Sequence, residues 1–95
     1  MLFDWDEEKA RRNLIKHGIA FEEARTVFGD FFSVTTVNKD QASNEARWLE
    51  VGMSERGNLL VVWYTEREGT IRIIGCRPPT KHERRNYENE RIPRT

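Results

Sequence analysis

The sequence predicts an α+β sandwich in which two N-terminal helices, a four-stranded antiparallel sheet and a C-terminal helix form one domain over residues 1–95. Three observations predict it. Apolar residues recur at helical spacing near the two ends of the chain. Strand-like runs follow one another between those ends, separated mostly by short turns, which favours an antiparallel meander. A chain of 95 residues holds one thin core and no second domain.

The elements follow in order. Asp4 and Glu7 stand at capping-box spacing, and Asp6, Glu7 and Glu8 suit the positive end of a helix dipole. Trp5, Lys9, Leu14 and Ile15 continue a helical stripe, and Lys16, His17 and Gly18 make a basic end with a glycine stop, so a helix is predicted over 5–17. Phe21, Ala24, Val27 and Phe28 recur at the same period and predict a short second helix ending at Gly29. Residues 31–38, FFSVTTVN, are aromatic and β-branched and predict a strand, followed by a polar loop, KDQASNEA. Leu49, Val51 and Met53 alternate with Trp48, Glu50 and Gly52 over a half-buried strand at 47–53. NLLVVWYTER, nearly all apolar at its start, predicts a central strand, and TIRIIGCR a further one after the turn at 66–70. Pro78 and Pro79 stop the sheet, and Thr80 with Glu83 forms a second capping box that opens a helix over 81–90. The last residues, RIPRT, read as a frayed tail.

Composition narrows the function. The hydrophobic share is 37% and the charged share 34%, but ten aromatic residues (three Trp, two Tyr and five Phe) are too many for a disordered chain. Net charge is zero, so the whole molecule names no partner. Its distribution says more: residues 77–95 carry six bases against three acids, which marks a local anion-binding end. One cysteine, Cys76, excludes an internal disulfide and fits a cytoplasmic protein. The first fifteen residues lack the apolar centre of a signal peptide, and LLVVWY is far too short to cross a bilayer, so no membrane association is expected.

The candidate chemistry gathers at the basic end. Arg77 closes an apolar strand, where a guanidinium can grip a phosphate with two prongs; pairing with a carboxylate is the alternative. Arg67, between Glu66 and Glu68, sits in the hairpin turn at the opposite end of the strand from Arg77; it is a further catalytic candidate if the strand bends, and more simply a solvated turn charge. Lys81, Arg84 and Arg85 lie on the capped helix, where cations near a helix N-terminus favour a phosphate backbone. Tyr87 could stack on a base or move a proton, or it could simply pack that helix onto the sheet. His17 is of the residue type suited to general acid or base work, although hydrogen bonding to the last carbonyls of its helix is the commoner use. Two histidines and one cysteine at these spacings predict no metal site, and no phosphate-cradling glycine loop or nucleophile elbow is present, so no cofactor is expected.

Two stretches together carry a family resemblance. The opening pattern WDxxKxxxNxxKHGxxFxEAxxxF over 5–28 and the closing pattern IRIIxxRPxxxxER over 71–84 resemble the BrnT family of type II toxins. The resemblance implies a fold similar to the RelE-like ribonuclease toxins. It implies a metal-independent endoribonuclease that blocks translation by cutting RNA. It also implies a BrnA-like antitoxin that neutralises the toxin and brings the pair to operator DNA. By likeness to the closing motif, Arg77, Glu83 and Arg84 carry over, and the KHG turn brings Lys16 and His17. The rival reading is a non-catalytic module, whose basic helix docks an antitoxin within a promoter-binding repressor.

Overall fold

The computed structural model describes residues 1–38 and 47–91. The polar loop expected over 39–46 and the tail over 92–95 lie outside the described residues. The elements run β1 (Leu2–Trp5), α1 (Glu7–His17), α2 (Phe21–Ala24), a 3-10 turn (Arg25–Gly29), β2 (Val34–Asn38), β3 (Arg47–Met53), β4 (Leu59–Arg67), β5 (Thr70–Arg77) and α3 (Lys81–Arg91). The α+β class holds.

The four-stranded antiparallel sheet is corrected to a five-stranded mixed one, ordered β1-β5-β4-β3-β2. The added strand is β1, which pairs parallel with β5 in the register Leu2↔Thr70 to Trp5↔Ile73. Four residues give too little local pattern to mark a strand, and its partner lies at the far end of the sequence. The helix start moves accordingly. Asp6, not Asp4, is the cap: its carboxylate accepts from Glu8 N at 2.8 Å and Lys9 N at 3.2 Å. At the other end Gly18 adopts φ 69°, and its N–H donates to Leu14 O, closing α1 as the glycine stop requires.

The second helix is one α turn continued as a 3-10 turn. β2 begins at Val34 rather than at residue 31. Asp30 turns the chain first, its carboxylate accepting from Phe32 N at 3.0 Å, and Phe31 and Phe32 stay exposed. β3, β4 and β5 form the antiparallel meander that their alternation predicts.

Successive residues of β4 face opposite sides of the sheet, so Val61 and Val62 separate two cores. On the Val62 side, α2 and the 3-10 turn press Phe21, Ala24 and Val27 onto Leu60, Ile73 and Cys76. On the Val61 side, α3 lays Tyr87 against Val51, Leu59 and Val61. α1 lies beside β5 where β1 no longer covers it. There the buried Asn13 replaces a strand: its Oδ1 accepts from Cys76 N and its Nδ2 donates to Ile19 O, both at 3.0 Å.

Candidate active site

Pro78 and Pro79 end β5, and Thr80 starts α3 through the reciprocal bonds its spacing predicts. Thr80 N donates to Glu83 Oε1 at 2.8 Å, and Glu83 N donates to Thr80 Oγ1 at 3.1 Å. The same Glu83 carboxylate turns back onto the sheet and takes Arg77 end-on. Arg77 Nη1 donates to Oε1 at 2.7 Å and Nη2 to Oε2 at 2.9 Å, while Nη1 also donates to Pro78 O at 3.1 Å. The hydrogen bond from Arg77, with those from Thr80, holds the Glu83 carboxyl down at about 2. That bond raises the Arg77 pKa in turn. Three of the five guanidinium N–H groups are thereby used, leaving the Nε–H and one Nη2–H. The side chain is 32% exposed.

Beside this pair a cleft of about 410 Å³ opens between the C-terminus of α1, the β3–β4 turn and the start of α3. His17 and Arg84 stand on its walls with Pro78 and Pro79, and Met53 and Leu59 give it apolar surface. Glu23 and Asn58 complete it. Burial works to raise the Glu23 carboxyl, but hydrogen bonds from Asn58 Nδ2 (2.8 Å) and Ser54 Oγ (2.7 Å) outweigh it and hold the group below the usual range. The cleft therefore holds a proton-transfer candidate, a cation and a fixed anion around an apolar floor. Such a set can bind a phosphate next to a base and move a proton at it.

The expected residues divide. His17 and Arg84 come together in the cleft, and Arg77 emerges beside it. Lys16 lies on the far side of His17, along α1. Lys81 and Arg85 are exposed on α3, and Arg85 points about 160° round the helix from the buried Tyr87. Tyr87 stays out of the cleft. It is 2% exposed, and its hydroxyl donates to Asp30 Oδ2 at 2.5 Å, so it anchors α3 to the sheet and offers no ring for a base. Arg67 pairs with Thr70 at the hairpin, whereas Arg77 pairs with Val61, six residues away along β4. That separation is about 20 Å and keeps Arg67 out of the group. Cys76 is buried, which pushes its thiol up to about 12 and makes it no nucleophile. Glu23 and Asn58 carry no mark of a site in the sequence, because nothing local shows that the second helix and the β3–β4 turn meet. Among the described residues no three His, Cys, Asp or Glu side chains gather as a metal site needs, and no helix is long and apolar enough to cross a membrane.

Residues 5–83 match the family described as "Ribonuclease toxin, BrnT, of type II toxin-antitoxin system". The chain belongs to the BrnT family. The matched span runs from Trp5, the last residue of β1, to Glu83, and takes in every residue of the cleft except Arg84. Family membership makes the protein a ribonuclease toxin of a type II toxin–antitoxin system, with RNA as its substrate and an antitoxin as its partner. No curated protein matches in sequence. Among solved structures, the 1.1 Å crystal structure of the Brucella abortus ribonuclease toxin BrnT is similar with a TM-score of 0.61 and 18% identity, covering 85% of this chain and all of that one. At that identity the likeness speaks for the fold.

Proposed function

We propose that this BrnT-family chain is an endoribonuclease that works without a metal ion, in the cleft between α1 and α3. One observation carries the reading: His17 and Arg84 share that cleft at the end of the sheet where Arg77 emerges. In the proposed reaction a ribose 2′-hydroxyl attacks the adjacent phosphorus. The P–O5′ bond breaks, leaving a 2′,3′-cyclic phosphate and a 5′-hydroxyl. One proton leaves the 2′-oxygen and one reaches the departing 5′-oxygen, and His17 is the group placed to carry them. Negative charge builds on the phosphoryl oxygens, where Arg84 and the two remaining N–H groups of Arg77 stabilise it. Glu83 has a positioning role. It fixes the plane of the Arg77 guanidinium, so that the donors need little rearrangement when charge develops.

The purpose of the cleavage is to stop translation in the cytoplasm. A BrnA-like antitoxin neutralises the toxin, and only the complex of the two reaches operator DNA. A binding module without catalysis would use the same basic helix, so the test must separate the two. The purified chain is incubated with a single-stranded RNA in excess EDTA, and the product ends are analysed. Cleavage with cyclic-phosphate ends is expected, with a loss of roughly 10²–10³ in rate for Arg77→Ala. Intact RNA, or an undiminished rate in a folded Arg77→Ala variant, would overturn the proposal.

A further inference from the structure

A second depression of about 260 Å³ lies on the other side of His17. Its walls are the α1 side chains Lys9, Arg12 and Lys16, with Trp63 and Ile74 opposite. Three features build it. Lys9 and Lys16 stand four residues before and three after the buried Asn13, so they flank the line along which α1 seats on β5. The sheet carries a register shift where Trp63 pairs with Gly75 but Tyr64 pairs with Ile73, which leaves Ile74 as an extra residue beside α1. The Trp63 indole then lies directly across Gly75. A Cβ there would come within 2.1 Å of Trp63 Cζ2, so only glycine lets the ring cross β5 towards the helix. Trp63 stays partly exposed.

The charges in this depression are poorly neutralised. Arg12 makes only a long 3.3 Å contact to Glu8, which Arg11 holds more closely, and no described carboxylate pairs with Lys9 or Lys16. From Lys9 to Lys16 the cations extend over about 10 Å of helix. His17 borders both this depression and the proposed catalytic cleft.

We infer that this α1–Trp63 groove holds the single-stranded RNA that flanks the cleaved bond, with the three cations on the phosphates and the Trp63 indole stacked on a base. The inference rests on the ribonuclease reading for its direction, since the groove leads to the cleft through His17. An acidic peptide would also meet the cations, but an indole face beside a row of positive charge matches the alternation of base and phosphate. Charge supplies affinity that falls with salt, and stacking supplies affinity that largely does not.

Binding of a fully 2′-O-methylated RNA 12-mer, which cannot be cleaved by this route, tests the groove apart from catalysis. Trp63→Ala should weaken binding about tenfold and leave the salt slope in place. Trp63→Phe keeps an aromatic ring over Gly75 and should lose less. Lys9→Gln with Lys16→Gln should weaken binding and reduce the magnitude of the slope of log affinity against log salt by about 1.4. RNA should quench tryptophan fluorescence in the parent chain and much less in Trp63→Phe. Unchanged affinity in folded Trp63→Ala, or quenching that persists in Trp63→Phe, would overturn the inference. So would an oligoglutamate of equal charge that binds as tightly with the same Trp63 quench. A chain that binds the 12-mer through Trp63 but cuts no RNA would keep the groove and defeat the ribonuclease mechanism. Cleavage with unaltered binding in both variant sets would do the reverse.

Discussion

The two faces of the sheet are covered very differently. On the Val62 face, α2 and the 3-10 turn bury Phe21, Ala24 and Val27 completely, and ring contacts from Trp5 to Phe21 and from Phe28 to Tyr64 extend that core. On the Val61 face a single helix rests on Tyr87, whose hydroxyl donates to Asp30, and is tied to the strand before it through the Thr80–Glu83 cap and the Arg77–Glu83 pair. The cations of the proposed site border the thinly covered face and its edge. Most of the buried packing thus lies on one face of the five-stranded sheet, and the proposed cleft lies at the sheet's end, where residues of both faces meet. Cations that must meet a phosphate stay near water, where burial would penalise their charge.

That contrast can be broken from the stable side first. Phe21→Ala removes a fully buried ring from the thicker core and should cost about 3–5 kcal/mol, read as a lower denaturation midpoint in urea. On a domain this small that loss is a large part of the total stability. A cost below about 1 kcal/mol would mean that the Val62 face is not the main core.

Glu83→Gln sharpens the comparison on the other side. The folded carboxyl sits at about 2, below its ordinary 4.5, so it contributes stability that is present above 4.5 and is lost as pH falls from there towards 2. At 19% side-chain exposure the contribution is on the order of 2–3 kcal/mol. Denaturation at pH 7 and pH 3 should show the parent losing much of that amount and Glu83→Gln losing less. Equal pH dependence in the two proteins would place the acid sensitivity elsewhere.

Tyr87→Phe is the smallest change. It keeps the ring among Val51, Leu59 and Val61 and removes the hydroxyl that donates to Asp30 Oδ2, which also accepts from Met53 N at 2.8 Å. A loss of about 1–2 kcal/mol is expected by urea denaturation. An effect near zero would mean that the packing of the ring, the cap and the Arg77–Glu83 pair hold α3 without help from the hydroxyl.

The same division explains what could be read in advance. β3, β4, β5 and α3 are written in contiguous signals: alternation, an apolar run, two prolines and a capping box. Arg77, Glu83 and Arg84 follow from those signals because they lie within one strand-to-helix turn. β1 was illegible because LFDW becomes a strand only when β5 lies beside it, and Asp4 at capping spacing draws the helix start too early. Tyr87 was ambiguous for a related reason. Its spacing on α3 is clear, but the acceptor that fixes its hydroxyl is Asp30, in a distant turn. Trp63 carries no local mark at all. Its exposure depends on an unpaired Ile74 and a missing side chain at Gly75, both on the neighbouring strand.

The pairing of Leu2 with Thr70 also sets when the molecule can finish folding. During synthesis the first strand leaves the ribosome long before its partner exists, and the bond from Cys76 to Asn13 comes later still. Long-range closures of this kind are slow, because the intervening chain must be confined before they form. The residues that frame the cleft are therefore brought together only after β5 and α3 have been made, so a chain that stops short of them lacks the assembled cleft.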